Sequence, residues 1–182
     1  MDRIIRKLFY HYEKEEAWLN EMAAKGLALV SYTRCRYVFV PCEPGEFIYR
    51  IELLPELPQH PESAAYIDFV EEAGVECVSA YSRWVYLRRK AADGPFEIYS
   101  DADLKIKHYK RIMSLWGIIG VINLVMWGII RLSGTNVIYS DYGSLFMVLH
   151  NLNLILGLFL MGLCIPYLIK IRRLKKEKLL KE

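Results

Sequence analysis

The residues of this 182-residue chain best suited to chemistry are four histidines, four cysteines and two runs of acids, and their spacing serves chemistry poorly. His11, His60, His108 and His150 are scattered, with no HxH or HExxH pattern, whereas a zinc site needs ligands clustered at set intervals. They read as surface or strand-edge histidines. Cys35 and Cys42 stand on a predicted strand and at the turn after it; with no CxxC in the chain, they read as small buried apolar residues. Glu13, Glu15 and Glu16, like Glu71 and Glu72, point in different directions on a helix, which suits solvated faces better than an acid–base pair. Gly45 and Gly94 are isolated turn glycines rather than a phosphate cradle, and no serine stands in a nucleophile elbow. The chain is therefore expected to be non-enzymatic, without a cofactor or metal.

Aromatic residues form the stronger constellation. Tyr32, Tyr37, Phe39, Tyr49, Tyr81, Trp84, Tyr86 and Tyr99 all fall on predicted strands. Period-two alternation puts Tyr37 and Phe39 on one face and Trp84 and Tyr86 on a matched one, with Val38, Val40, Val85 and Leu87 pointing oppositely. Both faces of the sheet are then partly apolar, and helices lying on one face leave the other for a ligand, a partner, the other half of a curved sheet or a second copy. Arg36 and Arg83 hold matched positions beside these aromatics, as edge charges that discourage aggregation or as paired donors to an anionic ligand. Tyr37, Phe39, Trp84, Tyr86, Arg36 and Arg83 are the candidate ligand or partner face.

The elements that carry these residues come in two similar sets. Trp18–Gly26 can be laid over Tyr66–Gly74, Arg36-Tyr37-Val38-Phe39 over Arg83-Trp84-Val85-Tyr86, and Phe47-Ile48-Tyr49 over Phe96–Tyr99, at a spacing near 48 residues. Tyr66, Phe69, Val70 and Ala73 form an i, i+3, i+4, i+7 stripe, and Trp18, Leu19 and Met22 a comparable one. Gly26 and Gly74 sit where each helix would end. Strands are predicted at Ile5–Tyr12 and Phe47–Leu53 before the helices, with a short closing strand at Phe96–Tyr99. The fold class is α+β, a mainly antiparallel sheet from two tandem βαββ units with helices packed on one face. Asp101 is placed as the cap of a following helix.

Two uncharged apolar runs follow, Ile112–Ile130 and Leu145–Ile169, and each reaches the roughly 20 residues that cross a hydrocarbon core as a helix. The predicted organisation is a cytosolic domain over residues 1–111, spans at 112–130 and 145–169, an outer loop at 131–144 and a basic cytosolic tail at 170–182. Basic residues before the first span and after the second put both termini on the cytoplasmic side of the cell (inner) membrane, as a multi-pass protein. No cleavable signal peptide is expected at the start, since Met1–Tyr12 has only a broken apolar pattern. Residues 1–111 hold 16 bases and 18 acids, whereas residues 170–182 hold seven bases and two acids. The tail suits anionic lipid, and direct nucleic-acid binding is not expected because the folded part has no matching positive excess. Asn123 and Asn153 lie at similar depth and are predicted to hydrogen-bond across the hairpin, with Gly117, Gly120, Gly157 and Gly162 allowing close approach. His150 and Asn151 should face the outer interface.

Glu13–Gly26, with Gly45–Ile51 and Trp84-Val85-Tyr86, resembles the DUF2812 family of uncharacterised bacterial proteins, over most of Arg6–Tyr109. The resemblance implies a small membrane-associated protein of Gram-positive bacteria that accompanies a PadR-type transcriptional regulator, and it supplies no catalytic residue. The tandem βαββ order is also similar in architecture to the SOUL/GyrI-like fold, whose curved sheet can hold small apolar or cationic compounds. Three readings follow: a membrane-tethered cytosolic sensing or protein-interaction module with a regulatory role; a membrane-proximal receptor for a small apolar or cationic ligand; and a transporter accessory or self-assembling subunit acting as a homo-oligomer in the lipid bilayer.

Overall fold

The computed structural model describes residues 2–98, 102–132 and 143–179. The chain divides into two compact units, Met1–Ser100 and Asp101–Glu182. In the first, β1 (Arg3–Arg6), α1 (Tyr12–Ala24), β2 (Leu27–Thr33) and β3 (Arg36–Pro41) precede β4 (Phe47–Leu53), α2 (Pro61–Glu72), β5 (Glu76–Tyr81) and β6 (Trp84–Lys90). A 3-10 turn at Ala91–Asp93 follows.

Each half builds its own three-stranded antiparallel sheet, in the orders β1-β3-β2 and β4-β6-β5. The halves share details as well as order. Both outer hairpins carry a register shift at the same place, between Leu29 and Ser31 and between Cys77 and Ser79. Both helices end on a glycine with positive φ, +75° at Gly26 and +80° at Gly74. Gly26 is required twice over, because a Cβ there would stand 3.0 Å from the Cys42 carbonyl oxygen.

The two sheets meet where β2 runs beside β5. The Ser79 hydroxyl accepts from the Tyr32 N–H (3.1 Å) and donates to the Tyr32 carbonyl (3.2 Å), so one side chain does the work of a strand neighbour. The other flank of the second sheet is closed by α1. Asn20 accepts from the Tyr49 N–H (2.8 Å) and donates to its carbonyl (3.1 Å), while Glu16 accepts from the Ile51 N–H (2.9 Å). An edge strand that would otherwise expose a row of backbone groups is thereby capped by a helix.

Four expectations change here. The first strand is Arg3–Arg6, not Ile5–Tyr12: its ladder with β3 stops at Arg6↔Arg36, and after a last bond from the Lys7 N–H to the Cys35 carbonyl (3.0 Å) the β2–β3 turn through Arg34 and Cys35 (φ +46° and +64°) carries the neighbouring backbone away. Tyr12 instead opens α1, and Cys35 belongs to that turn rather than to a strand. Phe96–Ile98 is not a strand; Pro95 carries no N–H to extend a ladder, and Phe96 is buried in a core cluster beside Leu54, Val75 and Val85. Tyr99 and Asp101 lie outside the described residues. The helices also do not share one face of one sheet. α1 lies over a core drawn from both sheets (Leu29, Tyr37, Phe39, Tyr49, Ile51 and Tyr86), whereas Tyr66, Ile67 and Val70 of α2 pack with Val85 and Leu87 on the opposite face of β6.

The second unit is a pair of antiparallel helices, α3 (Ala102–Leu132, 31 residues) and α4 (Gly143–Leu179, 37 residues). Their contacts run in opposite senses: Asp103 with Lys178 (2.6 Å), the Tyr109 ring with Tyr167 (5.9 Å) and Trp127 stacked on His150 (5.7 Å). Glycine sets the crossing. A Cβ on Gly157 would lie 2.8 Å from Leu124 and 3.2 Å from the Gly120 carbonyl, and one on Gly120 would lie 3.2 Å from Met161. Gly117 meets Cys164 at an ordinary 3.8 Å and Gly162 faces open space, so the close approach rests on two of the four expected glycines. His108 is not a surface histidine: it is 1% exposed. Both helices are long and apolar enough to cross a membrane, with mean hydropathy of 1.9 and 2.2 and with 11% and 33% of the most apolar stretch buried.

Candidate functional site

The first turns of α1 carry Glu13, Glu15 and Glu16, which suit the positive end of a helix. They do not share an environment. Glu15 stands four residues before Leu19 and seven before Met22, on the stripe that faces the sheets, and only 8% of it is exposed. A carboxylate brought there needs donors, and the strands supply them. Tyr37 of β3 and Tyr86 of β6 each donate a phenolic hydrogen bond to Glu15 Oε1, both at 2.7 Å. One oxygen thus ties together α1 and both sheets.

Aromatic rings surround this centre. Tyr32 lies 4.7 Å from the Tyr37 ring and 4.6 Å from Tyr86, and Trp18 meets Tyr37 edge-on at 4.9 Å. Tyr12 against Trp84 (5.8 Å) and Tyr81 against Tyr32 (5.7 Å) continue the wall outward. Tyr12, Tyr32 and Trp84 are half-buried and Tyr81 is 37% exposed, so the wall grades from closed core to accessible rim. On the far side of Trp18 the Lys7 ammonium sits over the Phe9 ring at 4.7 Å and the Trp18 ring at 4.9 Å, a cation held by aromatic faces in this same layer.

Electrostatics sharpen the picture. Burial pushes the Glu15 carboxyl above its ordinary range, and the two hydroxyls pull it back in part. Burial and the adjacent carboxylate hold Tyr37 and Tyr86 far above the usual phenol range, so both remain donors. Among the described residues no cationic side chain bridges to Glu15.

The structure places the expected face differently. Tyr37, Phe39 and Tyr86 are at most 2% exposed, so they form the core beneath α1 and not an open surface; Trp84 alone of the four aromatics reaches solvent in part. The face of the first sheet left open carries Ile4 (52% exposed), Val30 (38%) and half-buried Val38 and Val40. Arg36 is exposed at the start of β3. Arg83 is committed to structure: its Nε donates to the Leu54 carbonyl at 2.9 Å while Leu54 N–H donates to the Arg83 carbonyl at 2.7 Å. In the helical unit, Asn123 Nδ2 donates to the Ile119 carbonyl of its own helix (2.8 Å), and among the described residues no bond joins it to Asn153. Glu15, Glu16, Asn20 and Ser79 were not foreseen as polar anchors. For Glu15 the signal was present, since its spacing from Leu19 and Met22 places it on the apolar stripe. Among the described residues no group of three His, Cys, Asp or Glu is arranged to hold a metal ion.

No curated protein and no solved structure proves similar to the chain. Residues 11–121, from the turn before α1 into the first long apolar helix, match a family described only as a protein of unknown function. The chain therefore belongs to the DUF2812 family.

Proposed function

We propose that this protein is a membrane-tethered, non-enzymatic sensing module that recognises a small organic cation with an apolar body at the Glu15–Tyr37–Tyr86 centre. The observation that carries the reading is a buried carboxylate with no cationic partner among the described residues, clasped by tyrosines of both sheets. Burying an ionised carboxylate is costly unless the charge is compensated. Two hydroxyls offset part of that cost, and a cation entering past Tyr12, Tyr32, Tyr81 and Trp84 would offset the rest. Each ring face would add about 0.5–2 kcal/mol of cation–π attraction. Because Glu15 joins α1 to both sheets, a bound cation would change how firmly the two halves are held together, which is a signal a partner can read.

The tether fits this role. With both termini cytoplasmic and α3 and α4 crossing the inner membrane, the domain would sit beside the anionic leaflet where apolar cations accumulate. The test is titration of the full chain in detergent with tetraphenylphosphonium, followed by quenching of tryptophan emission. Saturable quenching that weakens at least tenfold in Glu15→Gln is the expected result; equal quenching of both proteins contradicts it.

A second reading, docking of a protein such as a PadR-type regulator, is favoured by the short β1 edge and the exposed Ile4 on it, with Val30 exposed two strands away on β2. Here Ile4→Asp would abolish co-purification with the regulator while leaving cation binding intact, and unchanged co-purification would rule it out.

A further inference from the structure

The two asparagines of the helical pair resolve their polarity in different ways. Asn123 returns its amide to the Ile119 carbonyl one turn back. The Asn153 amide makes no hydrogen bond among the described residues, and it lines an open groove on α4 with Leu149, Leu152, Ile155, Leu156 and Phe159. Those five neighbours are each 46–62% exposed. Asn153 lies four residues from Gly157, the crossing point of the hairpin, which puts it roughly 6 Å along the helix from that point and deep in the hydrocarbon of a spanning hairpin. An amide left there without a partner is expensive, because lipid offers none.

We propose that Asn153 and this groove form the contact between two copies of the chain, paired about a two-fold axis along the membrane normal. The inference rests on the spanning arrangement proposed above. Two copies inserted with the same orientation carry Asn153 at the same depth. A primary amide holds both a donor and an acceptor, so Asn153 of each copy supplies what the other lacks, in a reciprocal pair. A helix of another sequence would need its own polar group at that level. The flanking leucines, Ile155 and Phe159 then pack across the axis, where membrane helices gain their contact energy.

The test is energy transfer between full chains labelled at the amino terminus, reconstituted in phosphatidylcholine vesicles over a range of protein-to-lipid ratios. Wild type should show transfer that falls on dilution; Asn153→Leu should weaken association roughly 3- to 20-fold, the range for interhelical hydrogen bonds in bilayers. Asn153→Gln should restore most of it, and Asn123→Leu should leave it unchanged. Transfer as strong in Asn153→Leu as in wild type overturns the proposal, as does a wild-type chain that stays monomeric at every ratio. Extraction of the same vesicles with alkaline carbonate separates the two readings: a chain that washes off overturns both the spanning arrangement and the pairing, whereas a retained monomer overturns the pairing alone.

Discussion

The two βαββ halves of the first unit share strand order, bulge position and helix-ending glycines, yet they put their helices to different uses. α2 covers its own sheet with Tyr66, Ile67 and Val70, the Tyr66 hydroxyl donating to Glu52 of β4 at 2.6 Å, and leaves Phe69 66% exposed. α1 reaches across both sheets and carries three polar anchors inward: Glu15 to the tyrosines, Glu16 to Ile51 and Asn20 to Tyr49. Superposing Trp18 on Tyr66 sets Glu15 over Ser63, Glu16 over Ala64 and Asn20 over Asp68. Ser63 is also fully buried, but its hydroxyl only closes a local turn onto the Glu56 carbonyl at 3.2 Å. One topology thus yields a half whose helix brings its own carboxylate to tyrosines of both sheets and a half whose buried carboxylate, Glu52 of β4 (5% exposed), accepts from the Tyr66 hydroxyl of its helix at 2.6 Å.

The largest effect is expected from emptying that centre. Glu15→Ala leaves two buried hydroxyls without an acceptor and should cost about 3 kcal/mol in urea unfolding followed by tryptophan emission, against about 1 kcal/mol for Ser63→Ala. Equal losses at the two positions would erase the asymmetry. Next comes the edge: Asn20→Ala uncovers both the N–H and the carbonyl of Tyr49 and should cost about 2 kcal/mol, whereas Asp68→Ala should change stability by less than about 0.5 kcal/mol. Hydrogen exchange at Tyr49 and Ile51 checks this locally, since both amides should lose protection in the first variant alone. Removing one donor is smaller still. Tyr37→Phe or Tyr86→Phe should each cost about 1 kcal/mol.

The pH dependence has a definite sign. A carboxyl raised in the folded state favours folding below its unfolded value, and that contribution is lost as pH rises through the raised folded value. The melting temperature of wild type should therefore fall relative to Glu15→Gln as pH rises from the ordinary carboxylate range toward neutrality, and Ser63→Ala should track wild type. A constant gap between wild type and Glu15→Gln across that range would mean that Glu15 is not the titrating group.

Much of the element order was legible because its signals are local. Gly26 and Gly74 end helices for steric reasons that need no tertiary context, and the alternation of Tyr37 and Phe39 against Val38 and Val40 matches their burial on β3. The long apolar runs needed only length and hydropathy. What escaped depends on the meeting of distant parts. Whether the strands form one sheet or two is decided at the β2–β5 seam by Ser79, an unremarkable residue in sequence. Which face of the strands is open depends on where α1 lies, and that is governed by Asn20 and Glu16 reaching backbone groups about 30 residues away. Glu15 looked like one of several solvated acids because charge argues for exposure; its helical phase with Leu19 and Met22 argued the opposite and prevailed, since Tyr37 and Tyr86 were there to receive it. In the helical pair, Asn123 found a nearer acceptor in its own backbone than any across the hairpin.

The proposed recognition of a cation rests on the carboxylate of Glu15. The direct measurement is a carbon-13 titration of its side-chain carboxyl in glutamate-labelled full-length protein, assigned by Glu15→Gln, with and without saturating tetraphenylphosphonium. The predicted result is a free-protein Glu15 titration above the ordinary carboxylate range that moves down when the cation is bound. A Glu15 that titrates identically with and without the cation would contradict the account.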